Sequence, residues 1–422
     1  AIEAIRYRSM PELEATTRGA FCLRLPPSLR KSVTRWLTVL GALLTLIGAV
    51  AAEDAIEYTA DITADALLDM WLLPDAPIPA EPLPRWGREF RFNAGMGYKE
   101  NVQFSAFNPR DSAFSLAEVE GYLYTLQPEK HESYVYAFAD QRHYFDLDQG
   151  ADEQSFIGQA AYKRHHDRYG SFGAELQTFY FDQFLDASFS ELELNAIRLR
   201  QYEFGGLVSY GRPVGKRAKV EVAYGPFRSQ LANAPDDYDR HLARLNTEYA
   251  FDRSTLKLEL QQETFDYDQR ARRQADGARL AGRTDIEADQ ARMTSTWYWD
   301  AQKAWHNRLQ GTLRQLDDNG GGYYNYDSWQ ILYRLQHRRG PWTTQIAAQY
   351  RESDYDTHPS DLLNLQSSPL YRKAFRSHVR IEHAWENWMA FSETSWEDND
   401  SNDPLDRYEQ FTTLLGVGYT FN

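Results

Sequence analysis

The sequence predicts an all-β chain: a transmembrane, antiparallel, up-and-down β-barrel of about 16 strands. Three observations predict it. Alternating segments of roughly 10–15 residues recur from Trp86 to the end, about the length of a tilted strand crossing a bilayer. Their connections are short and long by turns. Tryptophans gather beside the short connections.

The alternation is of period two. Tyr202, Phe204, Gly206, Val208 and Tyr210 occupy every second position, as do Ala218, Val220, Val222 and Tyr224. Leu245, Thr247, Tyr249 and Phe251 repeat the pattern, followed by Leu256, Leu258 and Leu260, and by Trp329, Ile331, Tyr333 and Leu335. Period two puts these side chains on one face of a strand and the interleaved Arg, Gln, Glu, Thr and Asn on the other. Composition agrees: 27 Tyr, 22 Phe and 11 Trp among 422 residues favour strands. Mean hydropathy is −0.65, and no apolar run long enough for a membrane helix follows residue 52.

Short connections are expected near 127–131, 165–168, 211–216, 251–254, 300–303, 337–341 and 386–387. Long ones are expected near 99–112, 147–152, 183–190, 226–238, 265–288, 316–322, 353–372 and 397–407. Seven short and eight long connections join 16 strands. A soluble sandwich is the competing architecture, but strands of this length exceed its usual five or six residues. Trp86, Trp299, Trp305, Trp342, Trp385 and Trp388 sit where an aromatic girdle at a membrane interface would place them.

The chain divides into three parts. Residues 1–52 read as an upstream extension followed by a signal peptide: Arg30, Lys31 and Arg35, the apolar run Trp36–Ala52, and a small-residue end at Ala49–Ala52. The translation start is expected near Leu29 or Val33. Residues 53–85 read as an N-terminal segment with a short helix near Ile62–Leu72 and a stiff linker carrying Pro74, Pro77, Pro79, Pro82 and Pro84. Residues 86–422 are the barrel. Without residues 1–52 the chain holds 39 Lys and Arg against 58 Asp and Glu, net −19, which argues against nucleic acid as a partner. The lone Cys22 falls in the removed part, so the mature chain has no disulfide.

The end of the last segment carries a family resemblance. Leu415, Val417, Tyr419 and Phe421 alternate up to Asn422. This resembles the C-terminal signal by which bacterial outer-membrane β-barrels, porins among them, are recognised by their assembly machinery. That family usually ends on the aromatic itself, whereas Asn422 follows Phe421 here. The resemblance implies outer-membrane lipid and the assembly machinery as partners, with Tyr419 and Phe421 as the recognised aromatics. It points to no narrower family.

If Trp329, Ile331, Tyr333 and Leu335 face lipid, then Ser328, Gln330, Arg334 and Gln336 face the lumen. The same reasoning turns His306, Arg308, Gln310, Thr312 and Arg314 inward, then Gln345, Gln349 and Arg351, then Arg376, His378, Arg380 and Glu382. The expected result is a basic wall on strands 11–14, with Arg308, Arg314, Arg334, Arg351, Arg376 and Arg380, and an opposing acidic wall on strands 8–9, with Glu248, Glu259 and Glu263. Such a field sorts polar solutes; the bland alternative is a lumen plugged by salt bridges.

The long loops are expected to be extracellular and acidic, marked by Asp236, Asp237 and Asp239, by Asp317 and Asp318, and by Asp398, Asp400 and Asp403. This density suits Ca²⁺, but 317–322 lacks the spacing of a calcium loop, and solvated loop surface is the plainer reading. No phosphate loop or metal-ligand spacing calls for a cofactor. Ser377 and His378, the one adjacent Ser–His pair considered for a hydrolase, should point to opposite faces. The expected function is passive diffusion of small hydrophilic solutes through a charged lumen. The rivals are a polymer export conduit with a partner docking on 53–85, a plugged structural or adhesive barrel, and a hydrolase at the outer rim.

Overall fold

The computed structural model describes residues 86–105, 109–125, 130–147, 152–166, 169–186, 196–232, 236–360 and 367–421. The readings of residues 1–85 fall outside them. The described chain forms 16 strands: β1 Trp86–Lys99, β2 Ser112–Thr125, β3 His131–Tyr144, β4 Asp152–His166, β5 Gly170–Asp186, β6 Ala196–Val214, β7 Ala218–Leu231 and β8 Tyr238–Ala250. They continue as β9 Ser254–Arg273, β10 Arg279–Tyr298, β11 Trp305–Asp318, β12 Tyr326–Arg339, β13 Trp342–Pro359, β14 Pro369–Trp385, β15 Trp388–Ser401 and β16 Tyr408–Phe421.

Each strand pairs with its sequence neighbours, and β1 pairs with both β2 and β16, closing the barrel. Closure matters physically, because within hydrocarbon every backbone amide must find its partner in the protein. Side chains alternate across the wall. Phe90, Phe92, Val119, Val208, Leu313, Ile331 and Val417 are exposed on the outer face. Asn93, Glu153, Gln159, Glu263, Gln310 and Gln345 are buried on the inner face. This inversion of a soluble protein follows from lipid outside and a polar interior.

The connections fall in the expected places, but the one between β9 and β10, expected to be long, spans only 274–278 and is shorter than the 299–304 turn. The largest difference in extent lies at 265–288, read as a loop. There β9 runs on to Arg273 and β10 restarts at Arg279, with register shifts between Arg279 and Asp285. These strand ends rise above the apolar band, so their outer faces meet water and the alternation fades while backbone pairing continues. Phe265, Tyr267, Ile286 and Leu316 face inward there and pack with Tyr323, Tyr324 and Tyr326. The connection 319–325 is built on one carboxylate: Asp318 accepts from the backbone N–H groups of Gly320, Gly322 and Tyr324.

A second inward cluster lines the closure seam. Phe114, Leu116, Tyr144, Met389, Phe391 and Leu414 pack together over Gly95, Gly97 and Gly416, which face inward on β1 and β16. A Cβ on Gly97 would meet the Thr413 carbonyl at 2.3 Å and the Phe114 ring at 2.5 Å; one on Gly416 would meet the Phe391 ring at 2.3 Å. Glycine is needed here for space.

Candidate functional site

The strand registers decide which side chains share the lumen. Arg308 pairs with Arg334 in the β11–β12 ladder, and Gln330 with Arg351 in the β12–β13 ladder. Gln349 pairs with Arg376, and Gln345 with Arg380. With Trp329 and Ile331 exposed on the outside, all six arginines of the expected basic wall face inward. So do Glu248, Glu259 and Glu263.

Their grouping differs from the expectation in two ways. First, the β14 arginines are neutralised locally. Arg376 donates to Glu397 at 2.9 and 2.5 Å. Arg380 donates to Glu382 at 2.7 Å and Glu393 at 3.0 Å. Counted strand by strand, the positive charge of the inner face is therefore most concentrated on β11–β13. Their inner face carries Arg308, Arg314, Arg334, Arg338 and Arg351 and a single carboxylate, Asp318, which is committed to its own loop.

Second, β8–β9 do not oppose this wall; they adjoin it. Arg314 reaches Glu263 at 3.8 Å, Arg292 of β10 reaches Glu259 at 3.4 Å, and Lys257 lies 3.9 Å from Glu248. In a closed ring of 16, the strands facing β11–β13 are β3–β5. The inner face of β2–β5 carries Glu118, Glu120, Glu132, Asp140, Glu153 and Glu175 against Arg142 and Lys163. The acidic wall is thus displaced about a third of the circumference from where the sequence suggested. Period-two reading found the facing of each strand; the opposition of walls needed the ring.

The carboxylates of this wall are held in place. Asn93 donates to Glu118 at 2.5 Å, Tyr136 to Glu120 at 3.3 Å and Tyr144 to Glu153 at 2.6 Å. Ser155 bonds to Asp140 and Gln177 to Glu175. Other pairs bridge strands: Lys163 of β4 meets Glu221 of β7, passing over inward Gly173. Arg240 of β8 joins Glu203 of β6 at 2.6 Å and Glu263 of β9 at 2.5 Å, lying over the Phe227 ring.

On the outside, Trp299, Trp342, Trp385 and Trp388 are exposed beside the short turns, and Trp305 packs against Trp299 at 5.8 Å. The side chain of Trp86 lies outside the described set. A second outward aromatic row, which the sequence reading missed, holds Trp329 with Tyr350 and Phe375 with Trp396. Eight residues separate Trp342 from Tyr350 and ten separate Phe375 from Trp385. At about 3.3 Å per residue and a tilt near 40°, that is roughly 20–25 Å, close to an apolar band. Leu415, Val417 and Phe421 are exposed, and Tyr419 packs on Trp388 at 4.9 Å. Ser377 and His378 do face opposite ways: His378 is inward and lies 3.2 Å from Glu393. Among the described residues no group of His, Cys, Asp and Glu is set to hold a metal ion.

A closed 16-strand sheet, apolar outside and charged within, is the architecture of an outer-membrane β-barrel of porin type. No family model matches the chain, nor does any curated protein. Solved structures resemble it at low identity. OccK8 (OprE) of Pseudomonas aeruginosa is 10% identical with a TM-score of 0.41, covering 79% of this chain and 98% of its own. OccAB1 of Acinetobacter baumannii is 11% identical with a TM-score of 0.42, over 80% and 97%. OmpT of Vibrio cholerae, an outer-membrane protein in trimer form, is 11% identical with a TM-score of 0.41, over 80% and 100%. Likeness at this level transfers no residue role.

Proposed function

We propose that the protein is a porin-like channel of the bacterial outer membrane, passing small hydrophilic solutes by diffusion through a charged lumen. The observation that carries this reading is the opposition of two walls: the arginine face of β11–β13 across from the carboxylate face of β2–β5. A transverse field of this kind orients polar solutes and stabilises small ions of either sign along separate tracks.

In this reading the short turns face the periplasm, where the Trp299, Trp305, Trp342, Trp385 and Trp388 row marks one interface, with Trp86 added from the sequence. Residues 1–52 act as leader, residues 53–85 lie in the periplasm, and Leu415, Val417, Tyr419 and Phe421 address the assembly machinery. A plugged structural barrel is the second reading, favoured by the interior pairs Lys163–Glu221 and Arg240–Glu203 and by the inward apolar clusters. Single-channel recording in planar bilayers separates the two. Stepwise, ohmic conductance supports the channel; a folded, heat-modifiable protein that inserts without current overturns it.

A further inference from the structure

Four tyrosines meet on the inner wall at the short-turn end of β2 and β3. Tyr122 pairs with Tyr136 and Tyr124 with Tyr134 across the ladder. Their outward neighbours Leu123 and Val135 are exposed on the other face, so all four rings point into the lumen. Tyr122 stacks on Tyr124 at 4.8 Å, lies 5.9 Å from Tyr134, and meets Tyr136 edge-on at 6.4 Å. The residues flanking the Tyr124–Tyr134 row are small. Gly87 lies on one side, with the Tyr124 ring folded over it, and Ala161 on the other. Tyr122, Tyr124 and Tyr134 stay half-open to the lumen.

Carboxylates border the cluster. Glu120 accepts from the Tyr136 hydroxyl at 3.3 Å, and Glu132 lies 3.3 Å from a ring nitrogen of His165. Arg91 sits 3.6 Å from Glu89 and 4.0 Å from Glu120, one cation shared by two carboxylates. The neighbouring Lys163 is drawn away to Glu221. Glu175 of β5 and Arg244 of β8 also act on Tyr134, so Glu89, Glu120, Glu132 and Glu175 stand against Arg91 and Arg244, and negative charge exceeds positive charge around the rings.

We propose that this cluster is a binding station for organic cations, of the quaternary ammonium or aliphatic amine class, near the short-turn mouth of the barrel. The negative π-faces of several rings attract a cation, and recognition of quaternary ammonium by aromatic groups is a general use of that attraction. The surplus carboxylates add to it. A neutral polyol would gain stacking alone, and an anion would be repelled. The arginines of β11–β13 stand on the far side of the ring and do not compete for the site. The station does not depend on whether the barrel conducts, because its test reads binding to the folded protein without a current.

The test is equilibrium dialysis of choline against the full chain folded in detergent, beside its neutral isostere 3,3-dimethylbutan-1-ol. Choline should bind saturably in the millimolar range, with the isostere at least tenfold weaker. Y122L/Y134L should weaken choline binding about tenfold, whereas Y122F/Y134F, which keeps the π-faces, should stay within about threefold of wild type. Heat-modifiable migration checks that each variant has folded. If the leucine variant does not fold, Glu132→Gln serves in its place and should weaken choline binding severalfold. Absence of saturable choline binding, equal binding of the isostere, or binding unchanged in the leucine variant (or in Glu132→Gln where that replaces it) would overturn the proposal.

Discussion

Arg308 and Arg334 occupy directly paired positions on adjacent strands of the inner wall. Two like charges side by side oppose folding, and on the inner face of β11–β13 the single carboxylate, Asp318, is committed to its own loop. A wall that keeps such a pair gains a positive potential facing the lumen, and that potential should be measurable.

Arg334→Glu should shift the reversal potential toward cation preference, and Arg308→Glu/Arg334→Glu should shift it further. Guanidinium stays charged at any working pH, so the wild-type preference should hold across neutral pH. Salt screens charges beyond about 10 Å at 0.1 M, so the shift should be largest in dilute electrolyte. Unchanged selectivity in the double variant would place these arginines off any conducting path.

The two basic sites should differ in stability. Arg334→Glu puts a carboxylate opposite Arg308, and that new attraction offsets part of what Arg334 contributed, so its loss of thermal stability should be the smaller. Arg380→Glu removes the partner of Glu382 and Glu393 and adds a third carboxylate beside them. Breaking a buried pair costs about 3–5 kcal/mol; lumen water should reduce that to roughly 1–3 kcal/mol here. The melting of heat-modifiable forms on gels compares the two, and equal midpoints would contradict the pairing.

Gly97→Leu or Gly416→Leu should lower the yield and heat resistance of the folded barrel, by roughly 1–3 kcal/mol for the overpacking. The inserted side chain meets the Phe114 or Phe391 ring and neighbouring backbone. Gly311, whose added Cβ would meet nothing within 4 Å, is the control. If Gly311→Ala and Gly97→Leu melt alike, the seam does not depend on close approach.

Phe421 lies outward at the end of β16, paired with Phe90 of β1. Phe421→Asp should reduce the amount of assembled barrel. A charge on the lipid face costs roughly 0–4 kcal/mol by depth, least near the interface, so loss of the assembly signal should dominate. Normal membrane levels of the variant would remove Phe421 from that role.

Asp300 caps the turn before β11. Its carboxylate accepts from the N–H groups of Ala304 and Trp305, each at 3.0 Å, and these bonds hold its pKa below the usual carboxylate range. The folded value lies below the unfolded one, near 3.9. The turn's contribution is therefore present above pH about 4 and is lost as pH falls through the folded value. Asp300→Asn should lower thermal stability at pH 7, and the gap to wild type should narrow at pH 2. A gap independent of pH would show that the charge is irrelevant.

The period-two pattern by itself determined much of this protein. It marked Trp329 and Ile331 as outward and Arg308 and Arg334 as inward, because a strand turns alternate side chains to opposite faces. It placed the short turns, most of them where Gly, Pro or Asp interrupts the pattern. It could not see β9 and β10 past the apolar band, where the outer face is polar and Phe265, Tyr267 and Ile286 turn inward instead, nor the Trp329–Tyr350 and Phe375–Trp396 row, which belongs to one rim only once the strands are staggered. The tertiary structure alone decided which charges meet. Glu263 proved a neighbour of Arg314, Arg380 proved neutralised by Glu393, and the carboxylates of β2–β5 proved to face the arginines. Facing within a strand is a local property of the backbone, whereas opposition across a lumen depends on how many strands close the ring and where each stands in it.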